Sequence, residues 1–403
     1  MNIQPASRTA SVQEYYFSRK NREIDALSQE RKARGEDPVI NLGIGSPDGT
    51  PPGAALYKLA RQCVKPGMHG YQNYKGLPAL REAFAKWYGR YYGVTLDPDK
   101  EIQPLTGSKE GILLISMAYV NPGDQVLVPD PGYPTYTSAS KMVDAEVVKY
   151  DLKAENGWQP DFEALEKMDL SRVKLMWTNY PGMPTGAKAT PELYQRLVAF
   201  GLKHNILIVN DNPYSFILND NPLSILAVPG AKDTCLEMNS LSKAHNMAGW
   251  RIGMVAGDAQ AISQVLKVKS QMDSGMFKPL QLAAIEALGQ GPDWFKELNT
   301  EYKARRDVVC RIFDALGAKF DRDSAGLFVW GSIADSPVLK SLTVPQGMTP
   351  GEAVSEKFLH EAGVFITPGF IFGKNGEQYV RISLCAPVPV LEDAERKIKN
   401  VIG

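Results

Sequence analysis

The chain has 403 residues, 44% hydrophobic and 22% charged, with 35 Gly and 28 Pro, which excludes a disordered, collagenous or coiled-coil protein and allows two or three domains. Its 45 basic residues balance 45 acidic ones without a block of like charge, so no nucleic-acid or anionic-membrane surface is supported and any bound anion is held locally. Four cysteines, Cys63, Cys235, Cys310 and Cys385, lie far apart with no C-x-x-C spacing and no histidine cluster, so neither a disulfide framework nor a metal site is implied.

Gln13 to Arg34 mixes apolar and charged residues at helical spacing and stops at Gly35, which predicts an N-terminal helix or arm. The residues before it hold no apolar core for a signal peptide. The longest apolar stretch, around GILLISMAYV, is too short to span a bilayer, so a cytoplasmic location is expected. A short strand, PVINL, comes next. Beyond Pro52 an alternation begins, with helices over 78–92 and 108–119, strands in QVLVP, EVVKYDL and VKLMWTNY, a helix over 191–204 and a strand in ILIVND. Strands in CLEMNSL and RIGMVAG and a helix from Asp258 to about Met272 complete it. Apolar β-branched runs between amphipathic helices predict a mainly parallel sheet covered on both faces. From about Asp293 a long charged helix, WFKELNTEYKARRDVVCRIFDAL, precedes strands near GLFVWGSI and QYVRISL, which predicts a second, smaller α+β domain.

Four segments carry chemistry. Gly43-Ile44-Gly45-Ser46-Pro47-Asp48 begins like a dinucleotide fingerprint, but Asp48 stands at the third glycine and prolines replace the helix, so no nicotinamide site is expected. Thr106-Gly107-Ser108-Lys109-Glu110-Gly111 runs from a small-residue turn into an apolar helix. It reads either as an ordinary helix start or as a phosphate cradle of free amides and a Ser hydroxyl. The strongest segment is SLSKAHNMAGWRIG, between two apolar strands, where Lys243 loses its proton more easily and becomes a nucleophile for a carbonyl. Arg251 and the Ser240 hydroxyl supply donors for a nearby phosphate. Asp211 and Tyr214 stand at the end of ILIVND, where parallel sheets place ligand groups. A carboxylate there keeps a pyridinium nitrogen protonated and a Tyr hydroxyl binds a phenolate oxygen; the bland alternative is a turn at Asp211-Asn212-Pro213.

From about Asn41 to the C-terminus, the order NLGIGSPD, YQNYKGLPALREA, GSKEG, PDPGYPTY, NYPGMPTG, NDNPY, SLSKAHNMAGWRIG and YVRIS resembles the fold type I pyridoxal-5′-phosphate enzymes of the aminotransferase class I/II family. The resemblance implies an α/β fold with a large cofactor-binding domain over 48–292, holding a mainly parallel seven-stranded sheet between helices. It also implies a smaller α+β domain over 293–403, completed by the arm 1–47. In it Lys243 bonds the cofactor aldehyde and, once displaced by substrate, moves the proton between Cα and the cofactor. Asp211 pairs with the pyridine nitrogen and Tyr214 with the phenolate oxygen, while Gly107, Ser108, the Lys109 amide, Ser240 and Arg251 hold the phosphate. Tyr133 stacks on the ring, and Asn179 counts with the cofactor-binding residues as a landmark. Arg381 grips the substrate α-carboxylate, and Gly45 lies beside the substrate, where a side chain would obstruct it. Tyr71, with Ser274 as a second such residue, reaches the phosphate of a neighbouring subunit, so the resemblance implies a homodimer with shared sites.

One residue departs from the pattern. The family's Asn before Pro-Thr-Gly is Met183, whose thioether donates no hydrogen bond to the phenolate oxygen. The expected result is a raised pKa of the bound chromophore, with Tyr214 as the main phenolate partner. The activity implied is ping-pong transamination, in which an amino acid gives its nitrogen to the cofactor and a 2-oxo acid takes it away. The same scaffold serves β-eliminating C–S lyases and cyclopropane-forming synthases, which share Lys243, Asp211 and Arg251. A non-catalytic, DNA-binding sensor would need an added winged-helix segment, and the arm before Asn41 is too short and not basic enough for one. Tyr15, Tyr16 and Phe17 form an aromatic patch that either lines the side-chain pocket or packs the arm onto the body.

Overall fold

The computed structural model describes residues 3–12 and 14–403. Gln13, the first residue of the expected arm helix, lies outside the described residues, and the helix itself runs Tyr16–Ala33. Seven strands build the central sheet: β1 (Ile102–Leu105), β2 (Gln125–Asp130), β3 (Glu146–Asp151), β4 (Val173–Thr178), β5 (Leu207–Asp211), β6 (Cys235–Ser240) and β7 (Gly253–Gly257). Their spatial order is β1-β7-β6-β5-β4-β2-β3. Six run parallel to one another, and β7 lies antiparallel between β1 and β6.

The two faces of the sheet bury alternate residues of the same strands. Val126, Val128, Leu175, Trp177 and Val209 face helices 108–119 and 259–269. Leu127, Met176 and Ile208 face helices 78–92, 191–204 and 278–288. A sheet covered twice has no polar face, which is why its strands read as continuous apolar runs. Strand β1 carries no such signal, because its sequence is IQPL. It lies at an edge of the sheet, the one place where Pro104 removes no essential ladder bond. Helices Lys278–Leu288 and Val388–Ile402 also go beyond the elements predicted above.

A second, antiparallel sheet contains β8 (Lys319–Phe320), β9 (Phe328–Ser332), β10 (Thr367–Pro368) and β11 (Tyr379–Ser383), in the order β10-β11-β9-β8. Arg381 is central in β11, facing Trp330 and Thr367 in register. The long helix Pro292–Ala315 and helix Val388–Ile402 pack together beside this sheet. Ile40–Asn41 pairs in parallel with Val364–Phe365, which ties the segment after the arm to the C-terminal part of the chain. Residues 43–48 therefore run between the second sheet and the carboxyl ends of β5 and β6, where Asp211 and Ser240 are the last residues.

Candidate active site

A cavity of about 420 Å³ opens at those strand ends. Lys243, Asp211, Tyr214, Ser108, Lys109, Tyr133, Asn179, Ser240, Arg251, Gly45 and Arg381 all line it, so most of the residues singled out from the sequence converge on one place.

Lys243 donates from Nζ to the Gly45 carbonyl at 2.7 Å. Burial pushes its pKa below that of an ordinary lysine, with Arg251 and Arg381 acting in the same direction. Asp211 is buried at the end of β5. Its Oδ2 accepts from the Tyr136 hydroxyl at 2.9 Å, while Oδ1 has no partner. Burial pushes the Asp211 pKa up to about 7, against the opposing pull of the Tyr136 hydrogen bond and of Lys243. A buried carboxylate oxygen with nothing bonded to it is costly, and it suits a ligand N–H. Tyr136 was not among the residues picked from the sequence. Its ring stacks on Trp177, with centroids 5.1 Å apart and planes 4° apart, which aims the hydroxyl at Asp211. The signal was its place in PGYPTY, because a fully buried Tyr needs a partner for its hydroxyl.

The turn before helix 108–119 bears on the two readings of the GSKEG segment. No side chain caps the start of this helix, and Ser108 and Lys109 face the cavity, so its first amides point at a space fit for an anion. Gly107 has φ +79°, and a Cβ there would collide with the Arg251 guanidinium. Glycine is thus favoured by the backbone, and a side chain here would push the Arg251 guanidinium aside. Ser240, which pairs in register with Gly253 next to this helix start, has its Oγ 2.8 Å from Ser242 Oγ. A Cβ on Gly45 would come within 2.7 Å of the Phe328 ring, so that loop position is open only to glycine.

Arg381 is buried and no carboxylate pairs with it among the described residues. Nη2 donates to the Gly43 carbonyl at 3.0 Å and Nη1 to Met183 Sδ at 3.4 Å, while Nε has no partner. Its guanidinium carbon lies 3.8 Å from the centroid of Phe328, 4.7 Å from Phe372 and 5.6 Å from Phe17. Burial pushes its pKa down to about 10. A desolvated cation without an anion marks a place for one.

Asn179 lines the cavity, but its side chain is engaged by the protein. Nδ2 donates to the Asp211 carbonyl at 2.5 Å and Oδ1 accepts from the Met183 amide at 2.7 Å, which braces the end of β5. Tyr71 and Ser274 are not in the cavity. Tyr71 is 92% exposed, and Ser274 is exposed on a neighbouring segment whose carbonyl accepts from the Gln72 amide at 3.2 Å. The aromatic patch of the arm divides: Tyr15 and Phe17 line the cavity, whereas Tyr16 packs edge-on against Phe370.

The model of the aminotransferase class I and II family matches residues 37–395. This chain belongs to that family. It is 41% identical over 399 residues to the LL-diaminopimelate aminotransferase of Maridesulfovibrio salexigens, covering 98% of both chains. It is 38% identical to that of Dehalococcoides mccartyi over 397 residues, covering 98% of both. Among solved structures it is similar to substrate-bound BacF from Bacillus subtilis, with a TM-score of 0.88 and 35% identity over 99% of this chain and 98% of the other. The protein is a pyridoxal-5′-phosphate-dependent aminotransferase, which moves an amino group from an L-amino acid to a 2-oxo acid. Its curated relatives are named as aminotransferases, which supports transamination over β-elimination. The residues present fit the cofactor: an unpartnered Asp211 oxygen for the ring nitrogen, an uncapped helix start beside Arg251 for the phosphate, and a largely buried lysine between them. No helix among the described residues is long and apolar enough to cross a membrane.

Proposed function

We propose that transamination takes place in this cavity, with Lys243 as the proton-transfer group, Asp211 as partner of the cofactor's ring nitrogen and Arg381 as receptor for the substrate α-carboxylate. The observation that carries this reading is that two polar groups without a charged partner, the Asp211 Oδ1 and the Arg381 guanidinium, line the same cavity as one lysine. The cofactor supplies the electron sink for the pair left at the substrate Cα when its proton departs. Asp211 keeps the ring nitrogen protonated and Tyr214 holds the phenolate oxygen. Ser108, the Gly107 and Lys109 amides, Ser240 and Arg251 bind the phosphate, with Tyr133 against the ring face and Gly45 leaving room for substrate. Lys243, held toward Gly45 and with a pKa below that of an ordinary lysine, is suited to take the Cα proton and return it.

The same reading includes a homodimer in which Tyr71, and Ser274 beside it, reach the partner's phosphate site, supported by their exposure away from their own cavity. It includes the division into an arm over 1–47, a large domain over 48–292 and a small domain over 293–403. Four free cysteines are consistent with a reducing, cytoplasmic setting. By likeness, LL-diaminopimelate is a candidate donor. The test is the absorbance of the cofactor-loaded protein on adding amino acids without a 2-oxo acid. The chromophore is expected to convert to the pyridoxamine form and to recover with 2-oxoglutarate or pyruvate, and Lys243→Ala is expected to lower the conversion rate by at least roughly 1000-fold. A Lys243→Ala variant converting at the wild-type rate would overturn the assignment of Lys243.

A further inference from the structure

We propose that Glu237 is a positioning residue for the cofactor, an anion sealed inside the sheet that acts on the ring nitrogen through Asp211. The inference rests on the aminotransferase reading, in which Asp211 is the partner of that nitrogen. Glu237 stands within β6 and has no exposed surface. Four donors converge on its carboxylate. Oε1 accepts from the Tyr88 hydroxyl at 2.9 Å and the Ser224 hydroxyl at 2.7 Å, and Oε2 from Asn210 Nδ2 at 3.0 Å and the Ile225 amide at 3.1 Å. No lysine, arginine or histidine among the described residues pairs with it. Burial pushes its pKa up, and all four bonds work against that rise. In sheet register Glu237 faces Asn210, and Asn210 faces Thr178, whose hydroxyl donates to Asn210 Oδ1 at 3.2 Å. Asp211 and Asn179 are the next residues along β5 and β4, so this buried polar row lies one residue behind the strand ends that line the cavity.

A glutamine at this position would meet the same four partners. Its carbonyl would take the two N–H donors, Asn210 Nδ2 and the Ile225 amide, and its amide would donate to the two hydroxyls, which can turn to accept. It would do so without burying a charge that has no counter-ion. The hydrogen bonds therefore do not account for a carboxylate, and the charge itself is the distinguishing feature. Asp211 is diagonal to Glu237 across the β5–β6 pair, since Glu237 faces Asn210 and Met238 faces Asp211. Between the helices that cover the sheet, no solvent screens the field of Glu237, and it acts on the Asp211 carboxylate as a repulsion that raises its pKa. A second negative charge behind the first makes Asp211 costlier to leave unpaired, and so favours a positively charged ring N–H against it.

The experiment measures the affinity of the full-length protein for pyridoxal 5′-phosphate and for its deaza analogue, which has carbon in place of the ring nitrogen. The wild type is expected to prefer pyridoxal phosphate, and Asp211→Asn to reduce that preference roughly tenfold. Glu237→Gln is expected to reduce it roughly fivefold, with affinity for the deaza analogue within about twofold of the wild type. Equal losses for the two ligands, or no loss, would overturn the proposal and leave Glu237 a purely structural residue. If Asp211→Asn keeps the wild-type preference, the assignment of Asp211 to the ring nitrogen falls first and the proposal with it. A second measurement needs no variant. The infrared spectrum of the cofactor-free wild type at about pH 8.5, above the range in which Asp211 gives up its proton, is expected to hold no protonated carboxyl band. A persistent band would overturn the proposal by showing Glu237 to be neutral.

Discussion

Asp211 owes its properties to three neighbours of different kinds. Burial raises its pKa, the Tyr136 hydroxyl opposes that rise through one oxygen, and the other oxygen has no partner, as the proposed pairing with the cofactor requires. Tyr136→Phe removes the only hydrogen bond to the carboxylate among the described residues. A bond to a charged group is worth about 1.5–3 kcal/mol, so the Asp211 pKa is expected to rise by roughly one to two units. The acid limb of the pH profile of kcat/KM should move up accordingly; a limb left in place would show that Tyr136 merely fills space. The same carboxylate affects stability without cofactor. Its folded pKa is above the unfolded value, so its contribution is full below about pH 4 and is lost as pH rises through about 7. The melting temperature of the cofactor-free protein is expected to fall over that interval, and Asp211→Asn should flatten this component of the slope. Met183 presents sulfur to Arg381 where the family has an amide donor. Met183→Asn is expected to lower the pKa of the bound chromophore in a spectrophotometric titration, and an unchanged or higher value would discard that explanation.

At the scale of elements, the proposed phosphate cradle is braced from behind. Lys269, the last residue of helix 259–269, has no exposed side-chain surface and pairs with Glu110 at 3.0 Å and with Asp273. Glu110 in turn accepts from the Thr106 amide at 2.6 Å, which fixes the turn into helix 108–119. Lys269→Met leaves two carboxylates without their cation. Because those side chains are 22% and 26% exposed, the expected loss is about 2 kcal/mol, below the range for a fully buried pair. Cofactor affinity should fall more for pyridoxal phosphate than for unphosphorylated pyridoxal; an equal fall for both would make the brace a matter of stability alone. This network was not legible in the sequence, since Lys269 reads there as one more charged residue on an amphipathic helix. Strand β1 escaped for a related reason: IQPL has neither alternation nor β-branched enrichment, and its pairing with β7 comes from sequence-distant residues.

At the scale of the molecule, one loop ties both sheets together at the cavity. The carbonyls of Gly43, Ile44 and Gly45 accept from Arg381, Ser383 and Lys243 in turn, and Asp48 at the end of the loop holds Arg305 of the long helix through its two terminal guanidinium nitrogens. Arg381 and Lys243 are thus referenced to a single stretch of backbone. The shared-site dimer is expected to sediment at twice the 44.3 kDa chain mass, and Tyr71→Ala should weaken cofactor binding while leaving the dimer intact. A monomer that binds cofactor with wild-type affinity would remove Tyr71 from the site.

By itself the sequence determined the class of fold, the order of its strands from β2 to β7, though not the helices Pro134–Met142 and Phe162–Glu166 between them, and the residues whose chemistry recurs in motifs: Lys243, Asp211, Arg251 and Arg381. These are legible because periodicity and motif spacing are local, and each such residue lies within a few positions of its strand end or turn. The tertiary structure decided what depends on residues far apart in the chain. It put Tyr136 beneath Asp211, Lys269 behind Glu110, and Tyr15 and Phe17, but not Tyr16, in the wall around Arg381. Burial, an unpartnered oxygen and the choice between cavity and core are properties of packing, and packing depends on which distant segments share a space.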